Sequence, residues 1–277
     1  MTVAVVTDSS SCLEPCAEQD AGIAIAPLHV FVDGIDLREG IDPIPEDFVA
    51  HGPVTTAGAS IGELASIYRA ALERSRGAGV VAVHISRGLS STWEAARGAA
   101  AEVSDRIRIV DSGAAGMGVG YAALAAARSA ARGAGLDEVY DEAVAVSKRS
   151  RCFIMVDRLD HLRRGGRIGT AAALLGTALA MKPVLHLSEG KLVLREKTRT
   201  STKALGKLVD AIATEAGEER VALTVHHMQC EERAASLVGL ITDRIPQVSK
   251  LNVLPFGAVL GAHVGPGAVG VVVCPTS

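Results

Sequence analysis

Residues 80–103 read VVAVHISRGLSSTWEAARGAAAEV, and this stretch decides the class of fold. Val80–Ile85 is a short, almost continuously apolar and β-branched run, without the polar alternation of a sheet that has one wet face. It predicts a strand covered on both sides, as in a parallel sheet between helices. A hydroxyl-rich turn follows at Ser86-Arg87-Gly88-Leu89-Ser90, and then Ser91–Val103, whose alanines favour a helix. Strand, polar turn and helix in that order make a βα unit.

The same unit recurs on both sides of this stretch. Val3–Thr7, Ile23–Val32 and Ile107–Asp111 read as further strands, with helices near Ile61–Ser75, Gly118–Arg132 and Asp137–Ser150. The texture changes at Ser147-Lys-Arg-Ser-Arg151. Beyond it, Phe153–Val156 is a strand, and residues 183–199 (PVLHLSEGKLVLREKTR) read as two strands joined across Ser188-Glu189-Gly190-Lys191. Such an antiparallel hairpin is foreign to a purely doubly wound sheet. Helix Thr202–Ala216, strand Val221–His226, helix Glu231–Ile245 and strand Val269–Cys274 follow. The expected architecture is α/β in two domains: an N-terminal Rossmann-like parallel sheet with helices on both faces over residues 1–150, and a C-terminal α/β domain with a mixed sheet over 151–277.

Composition removes several classes of function. The formal net charge of -3 gives no overall attraction to nucleic acid or anionic membrane, so an anion site has to be local. Aromatic residues are only 3% of the chain against 48% hydrophobic, which leaves little material for stacking on bases. No uncharged apolar run reaches the roughly 18 residues of a membrane span, and the N-terminus meets Asp8 without a basic lead, reading as a strand and not as a signal peptide. Five cysteines without a C-x-x-C pair suit reduced thiols in the cytoplasm. His226, His227 and Cys230 have metal-ligating side chains, but neighbours on a strand point to opposite faces and no second ligand pair follows. No metal site is expected.

Ligands of open α/β sheets bind beyond the carboxyl ends of the strands. Three such ends are rich in hydroxyls: Thr7-Asp8-Ser9-Ser10-Ser11, Ser86 to Thr92, and Asp111-Ser112-Gly113. A fourth cluster, Thr55-Thr56-Ala57-Gly58-Ala59-Ser60, precedes a helix. Each one alone has an ordinary account as an N-cap. Together, on one rim, they offer neutral donors to a buried anion, which must be hydrogen-bonded. Residues 161–176, HLRRGGRIGTAAALLG, add a cationic turn directly before an uncharged Ala/Leu segment that continues to Met181. An amphiphile would use both halves, with Thr170–Met181 walling an apolar tail and the cationic turn meeting its anionic head.

Other motifs fit less well. Gly116-Met117-Gly118-Val119-Gly120 lacks the dinucleotide spacing, and no G-x-x-x-x-G-K-[ST] sequence occurs. Ser90 on a strand–turn–helix, with His263 and Asp8, makes a serine hydrolase the alternative, although the G-x-S-x-G elbow is absent.

Seven segments taken together carry a family resemblance: VTDSSS at Val6–Ser11, TTAGAS at Thr55–Ser60, ISRGLSSTWEAA at Ile85–Ala96, VDS at Val110–Ser112, LRRGGRI at Leu162–Ile168, MKPVL at Met181–Leu185 and GAHVGPGAVG at Gly261–Gly270. In this order, across the whole chain, they resemble the DegV family of bacterial fatty-acid-binding proteins. The resemblance implies a long-chain fatty acid held between two α/β domains, no catalytic residue and no cofactor beyond that ligand. It implies a partner too, the ATP-binding subunit of a fatty acid kinase, to which the buried carboxylate is presented and whose acyl phosphate product is then held. Transient contact with a membrane surface suits such a cargo, and nucleic acid has no part in it. Carried over residue by residue, the fatty-acid-binding positions are Thr56, Ser90, Ser91, Arg167 and His263. Two departures stand out: Ala57-Gly58-Ala59 replaces Ser-Gln-Pro, and Ser91 stands where Gly is usual. Arg199, with Arg195 and Lys197 on the edge of the expected hairpin, is the candidate surface for docking the kinase.

Overall fold

The structure is a computed structural model that describes residues 1–50, 52, 54–169 and 181–276. Strand β1 (Ala4–Asp8) runs through a 3-10 turn and helix α1 (Pro15–Ala21) into β2 (Ala24–Ala26). The chain then leaves that sheet. Strands β3 (His29–Val32), β4 (Ile35–Arg38) and β5 (Thr55–Ala57) form a small antiparallel sheet in the order β4-β3-β5. Helix α2 (Ile61–Arg74) leads back to β6 (Val80–His84), and α3 (Thr92–Val103), β7 (Ile107–Asp111), α4 (Met117–Ala131) and α5 (Leu136–Arg149) follow. The sheet β2-β1-β6-β7 is parallel throughout.

The continuous apolarity of β6 has a direct cause in packing. Val80 and Ala82 join one core with Leu64 and Tyr68 of α2 and Ala96 and Ala99 of α3. Val81 and Val83, on the opposite face, join another with Ala122 and Ala126 of α4 and Val139 and Ala143 of α5. With helices on both sides, no position of the strand faces water. The sequence-based expectation of one strand over Ile23–Val32 is corrected here, because it divides into β2 and β3 in different sheets. Pro27 lies between them, and without an N–H it ends a ladder.

The remaining described elements build a mixed sheet. They are β8 (Arg151–Met155), α6 (Asp160–Arg164), β9 (Lys182–Ser188), β10 (Lys191–Thr198), α7 (Ser201–Ala216), β11 (Val221–His227), α8 (Glu231–Arg244), β12 (Val248–Pro255), α9 (Ala258–Val264) and β13 (Val269–Pro275). Their order is β10-β9-β8-β13-β11-β12, with β11 and β12 parallel and the other pairs antiparallel. The hairpin expected at residues 188–191 is present. Its two central residues, Glu189 (φ 50°) and Gly190 (φ 75°), both have the positive φ that a tight two-residue turn requires. Residues 170–180, which make up nearly all of the expected tail wall Thr170–Met181, lie outside the described residues. Among those described, no helix is long and apolar enough to cross a membrane.

Candidate functional site

A cavity of about 380 Å3 opens beyond the carboxyl ends of the parallel strands, against the mixed sheet. Its walls are mostly apolar, with Leu28, Ile85, Ile154, Leu162, Phe256 and Leu260 among them. Thr56, Ser90, Ser91, Arg167 and His263 all line it as well, so one cavity collects five residues that are up to 207 positions apart in the chain.

Local folding explains how each arrives. Ser90 ends the turn after β6, where the N–H groups of Leu89 and Ser90 both donate to the Ser86 carbonyl. Its Oγ accepts from the Thr92 N–H at 3.3 Å and shares a second hydrogen bond with Thr92 Oγ1 at 2.9 Å. Thr56 is placed by the pairing of β5 with β3, opposite Val30. A side chain at Gly58 would meet Thr92 Oγ1 at 2.6 Å, so glycine lets the Thr56 loop close on the Ser90 turn. Within the departure Ala57-Gly58-Ala59, Gly58 therefore has a packing role. The Ser90 turn is fastened from the other side too, because Ser86 Oγ donates to the carbonyl of Gly190 at the tip of the β9–β10 hairpin (2.8 Å).

Arg167 and His263 come from two short helix ends that interlock. The His263 ring lies where a Cβ of Gly165 would stand, and the His161 ring lies where a Cβ of Gly265 would stand. Each helix-ending glycine makes room for the other helix's histidine. Arg167 then reaches back, its Nε donating to Leu89 O at 2.8 Å and its Nη1 to Gly165 O at 2.5 Å. Thr56 Oγ1 and His263 Nε2 share a hydrogen bond of 2.7 Å. Burial, and after it the charge of Arg167, push the His263 ring down to about 4, so it is neutral at pH 7. Neutral hydroxyls and a neutral imidazole beside one fixed guanidinium can receive a carboxylate without fully discharging it.

The hydrolase arrangement is not assembled. Asp8 Oδ2 accepts from the Ile85 N–H and pairs with His84 Nδ1, both at 2.9 Å, and His84 Nε2 shares a hydrogen bond with the Tyr68 hydroxyl at 2.7 Å. These three side chains are fully buried. His263 belongs to Thr56, and Ser90 belongs to Thr92. Ser9–Ser11 turn away to another crevice, which Ser9 and Ser11 line together with Glu39.

Two lining residues escaped the sequence reading. His226 stacks on Phe256 (ring centroids 5.1 Å apart), and its Nε2 accepts from the Met117 N–H at 3.1 Å. Burial pushes it down to about 4. Cys152 lines the cavity with its thiol pushed by burial up to about 11, which makes it a wall and not a nucleophile. The adjacent His226-His227 pair on a strand was the available signal, since one member of such a pair faces inward. Among the described residues no group of three or more His, Cys, Asp or Glu side chains is placed to hold a metal. Arg199 is exposed just after β10, whereas Arg195 is committed to Glu215 (3.8 Å) and to the face of Phe153 (5.5 Å).

Known proteins similar in sequence and in fold point to one family. The family described as "Uncharacterised protein, DegV family" matches residues 2–276. A DegV domain-containing protein of Mycobacterium tuberculosis is 46% identical over 273 residues, covering 99% of this chain and 97% of that protein. A DegV family protein from Thermus thermophilus, whose structure is described as showing fatty acid binding, superposes with a TM-score of 0.93 at 31% identity, covering 99% and 100% of the two chains. DegV of Bacillus subtilis, described as a fatty acid binding protein, gives 0.89 at 32% identity with both chains fully covered. With its length matched almost end to end, this chain belongs to the DegV family.

Proposed function

We propose that this protein holds one long-chain fatty acid in the 380 Å3 cavity and presents its carboxylate to a separate ATP-dependent fatty acid kinase. The observation that carries the reading is the division of that cavity, with walls that are mostly apolar apart from the neutral His226 ring and a polar end where Thr56, Ser90, Ser91, Arg167 and His263 are gathered. A 16-carbon tail leaving water gains on the order of 10 kcal/mol at roughly 0.8 kcal/mol per methylene. An unpaired buried carboxylate would forfeit several kcal/mol, so the polar end has to satisfy it. Solved relatives described as fatty acid binding support the same ligand class.

The chemistry belongs to the partner. One carboxylate oxygen bonds to the terminal phosphorus of a nucleoside triphosphate, the bond from that phosphorus to the diphosphate breaks, and the acyl phosphate stays with the carrier. Phosphoryl transfer relies on positioning and charge stabilisation of the triphosphate, and this chain has no phosphate-cradling loop with its lysine. Arg199, exposed beside Lys197 at the sheet edge, is the proposed docking cation.

Mass spectrometry of freshly purified protein tests the reading. The expected result is about one equivalent of fatty acid under native conditions, lost on denaturation. Protein that is empty and fails to bind long-chain acids refutes it, and a covalent acyl group on Ser90 restores the hydrolase. In the reconstituted kinase reaction, Arg199→Glu lowers acyl phosphate formation and leaves fatty-acid binding intact. Unchanged turnover removes Arg199 from the interface.

A further inference from the structure

Beside the apolar cavity lies a second, polar one of about 140 Å3. Thr56, Arg167 and His263 line both, so the Thr56–His263 hydrogen bond stands as a partition between them. On the far side are His161, Arg164 and Gly165. A single water needs only about 10–15 Å3 of such space, so the chamber admits a tetrahedral anion with part of its hydration.

The chamber's charge is positive. Arg164 and Arg167 bring two guanidinium groups, and no described carboxylate pairs with either. Arg164 Nη2 donates instead to His161 Nδ1 at 3.1 Å, and Arg167 is held by the carbonyls of Leu89 and Gly165. Asp160, the acid nearest along the helix, is taken by Arg158 at 2.7 Å and Arg163 at 3.9 Å. The His161 ring, half-buried, is held below its usual range by burial and then by Arg164, so the histidines add no charge of their own at neutral pH.

A fatty acid has no use for this chamber, because its single negative charge is already met on the apolar side. Phosphorylation changes the ligand at that end alone. The product carries a phosphoryl group beyond the carboxyl carbon, with further anionic oxygens suited to the planar fork of arginine. We propose that the second cavity is the subsite for the phosphoryl group of the acyl phosphate, with Arg164 as its specific cation and Arg167 shared between the two chambers. This rests on the carrier reading above. The acyl carbonyl stays beside Ser90, and the phosphoryl group lies on the far side of the Thr56–His263 pair.

The test compares two ligands by titration calorimetry: palmitate, and 2-oxoheptadecylphosphonate, in which a methylene replaces the bridging oxygen of palmitoyl phosphate. Arg164 is exposed and does not line the apolar cavity, so its replacement leaves the fold and the tail site in place. Arg164→Ala is expected to weaken the phosphonate about tenfold, the loss of roughly one charge-assisted hydrogen bond, and to leave palmitate within about twofold. Arg164→Lys, which keeps the charge, is expected to recover part of the loss. Equal weakening of both ligands, or no weakening of the phosphonate, overturns the subsite. So does a wild-type protein that binds palmitate and not the phosphonate. Wild-type protein that binds neither ligand refutes the carrier reading itself.

Discussion

Ser90 shows how one hydroxyl is prepared for a ligand. An oxygen of this kind accepts twice and donates once. Thr92 fills both acceptor positions when its own hydroxyl donates, which leaves the Ser90 proton to point into the cavity. Thr56 reaches the same cavity from another sheet and is steadied by His263. Removing either donor leaves a buried carboxylate short of a partner, so Ser90→Ala and Thr56→Ala are each expected to weaken palmitate binding by about 1–3 kcal/mol in calorimetry. Ser11→Ala is the control, because that hydroxyl lines a different crevice. Unchanged affinity in both the Thr56 and Ser90 variants would put the head group elsewhere. The hydroxyl clusters were legible in the sequence, but each alone has an ordinary account as an N-cap, and it was the family resemblance that singled out Thr56 and Ser90. Cys152 was not legible, because a wall residue carries no chemical mark that separates it from ordinary core, and His226 was marked only by the adjacent pair, which reads first as a metal-site candidate.

The interlocked ends of α6 and α9 turn two glycine-rich motifs into one device. Neither Gly165 (φ -75°) nor its ψ of -6° is forbidden to other residues, so the requirement at this position is space for His263 and not backbone freedom. Gly165→Ala must therefore displace the His263 ring and, with it, the partner of Thr56. The expected outcome is loss of palmitate affinity well beyond any loss of thermal stability, and normal affinity in that variant would show the interlock to be dispensable. The long elements were readable because their periodicity is strong: β6, α3 and the β9–β10 hairpin fall where apolar runs and turn residues put them. The strand β12 and the helix α9 were missed for opposite reasons. Residues 248–255 mix Ser, Lys and Asn into an edge strand whose outer side is wet, and α9 spans only 7 residues, too short to display a helical period. The separate β4-β3-β5 sheet was invisible for want of length, since β5 has just 3 residues and is defined by its neighbour.

At the scale of the molecule, the buried histidines couple the fold to acid. His226 and His263 both sit at about 4 in the folded protein, against a usual value of 6.5. The unfolded chain therefore binds more protons between those limits, and stability falls as the pH drops below about 6.5 until the folded rings themselves take up protons near 4. Between pH 7 and pH 5 each such ring costs up to about 2 kcal/mol. His226→Gln keeps an acceptor for the Met117 N–H but does not titrate. In urea unfolding, the stability gap between wild type and this variant is expected to narrow by about that amount from pH 7 to pH 5, and a constant gap would mean that His226 is not held neutral. The sheet order has a temporal side. β13 is made after every other described strand, yet it sits between β8 and β11, and Gly270, Val271 and Val272 form part of the cavity wall. Domains emerge from the ribosome N-terminal part first. A chain still tethered at residue 260 has Ser90, Thr56 and the β8 part of the wall but lacks His263 and the β13 part, so the proposed lipid site is complete only once synthesis has passed that central strand.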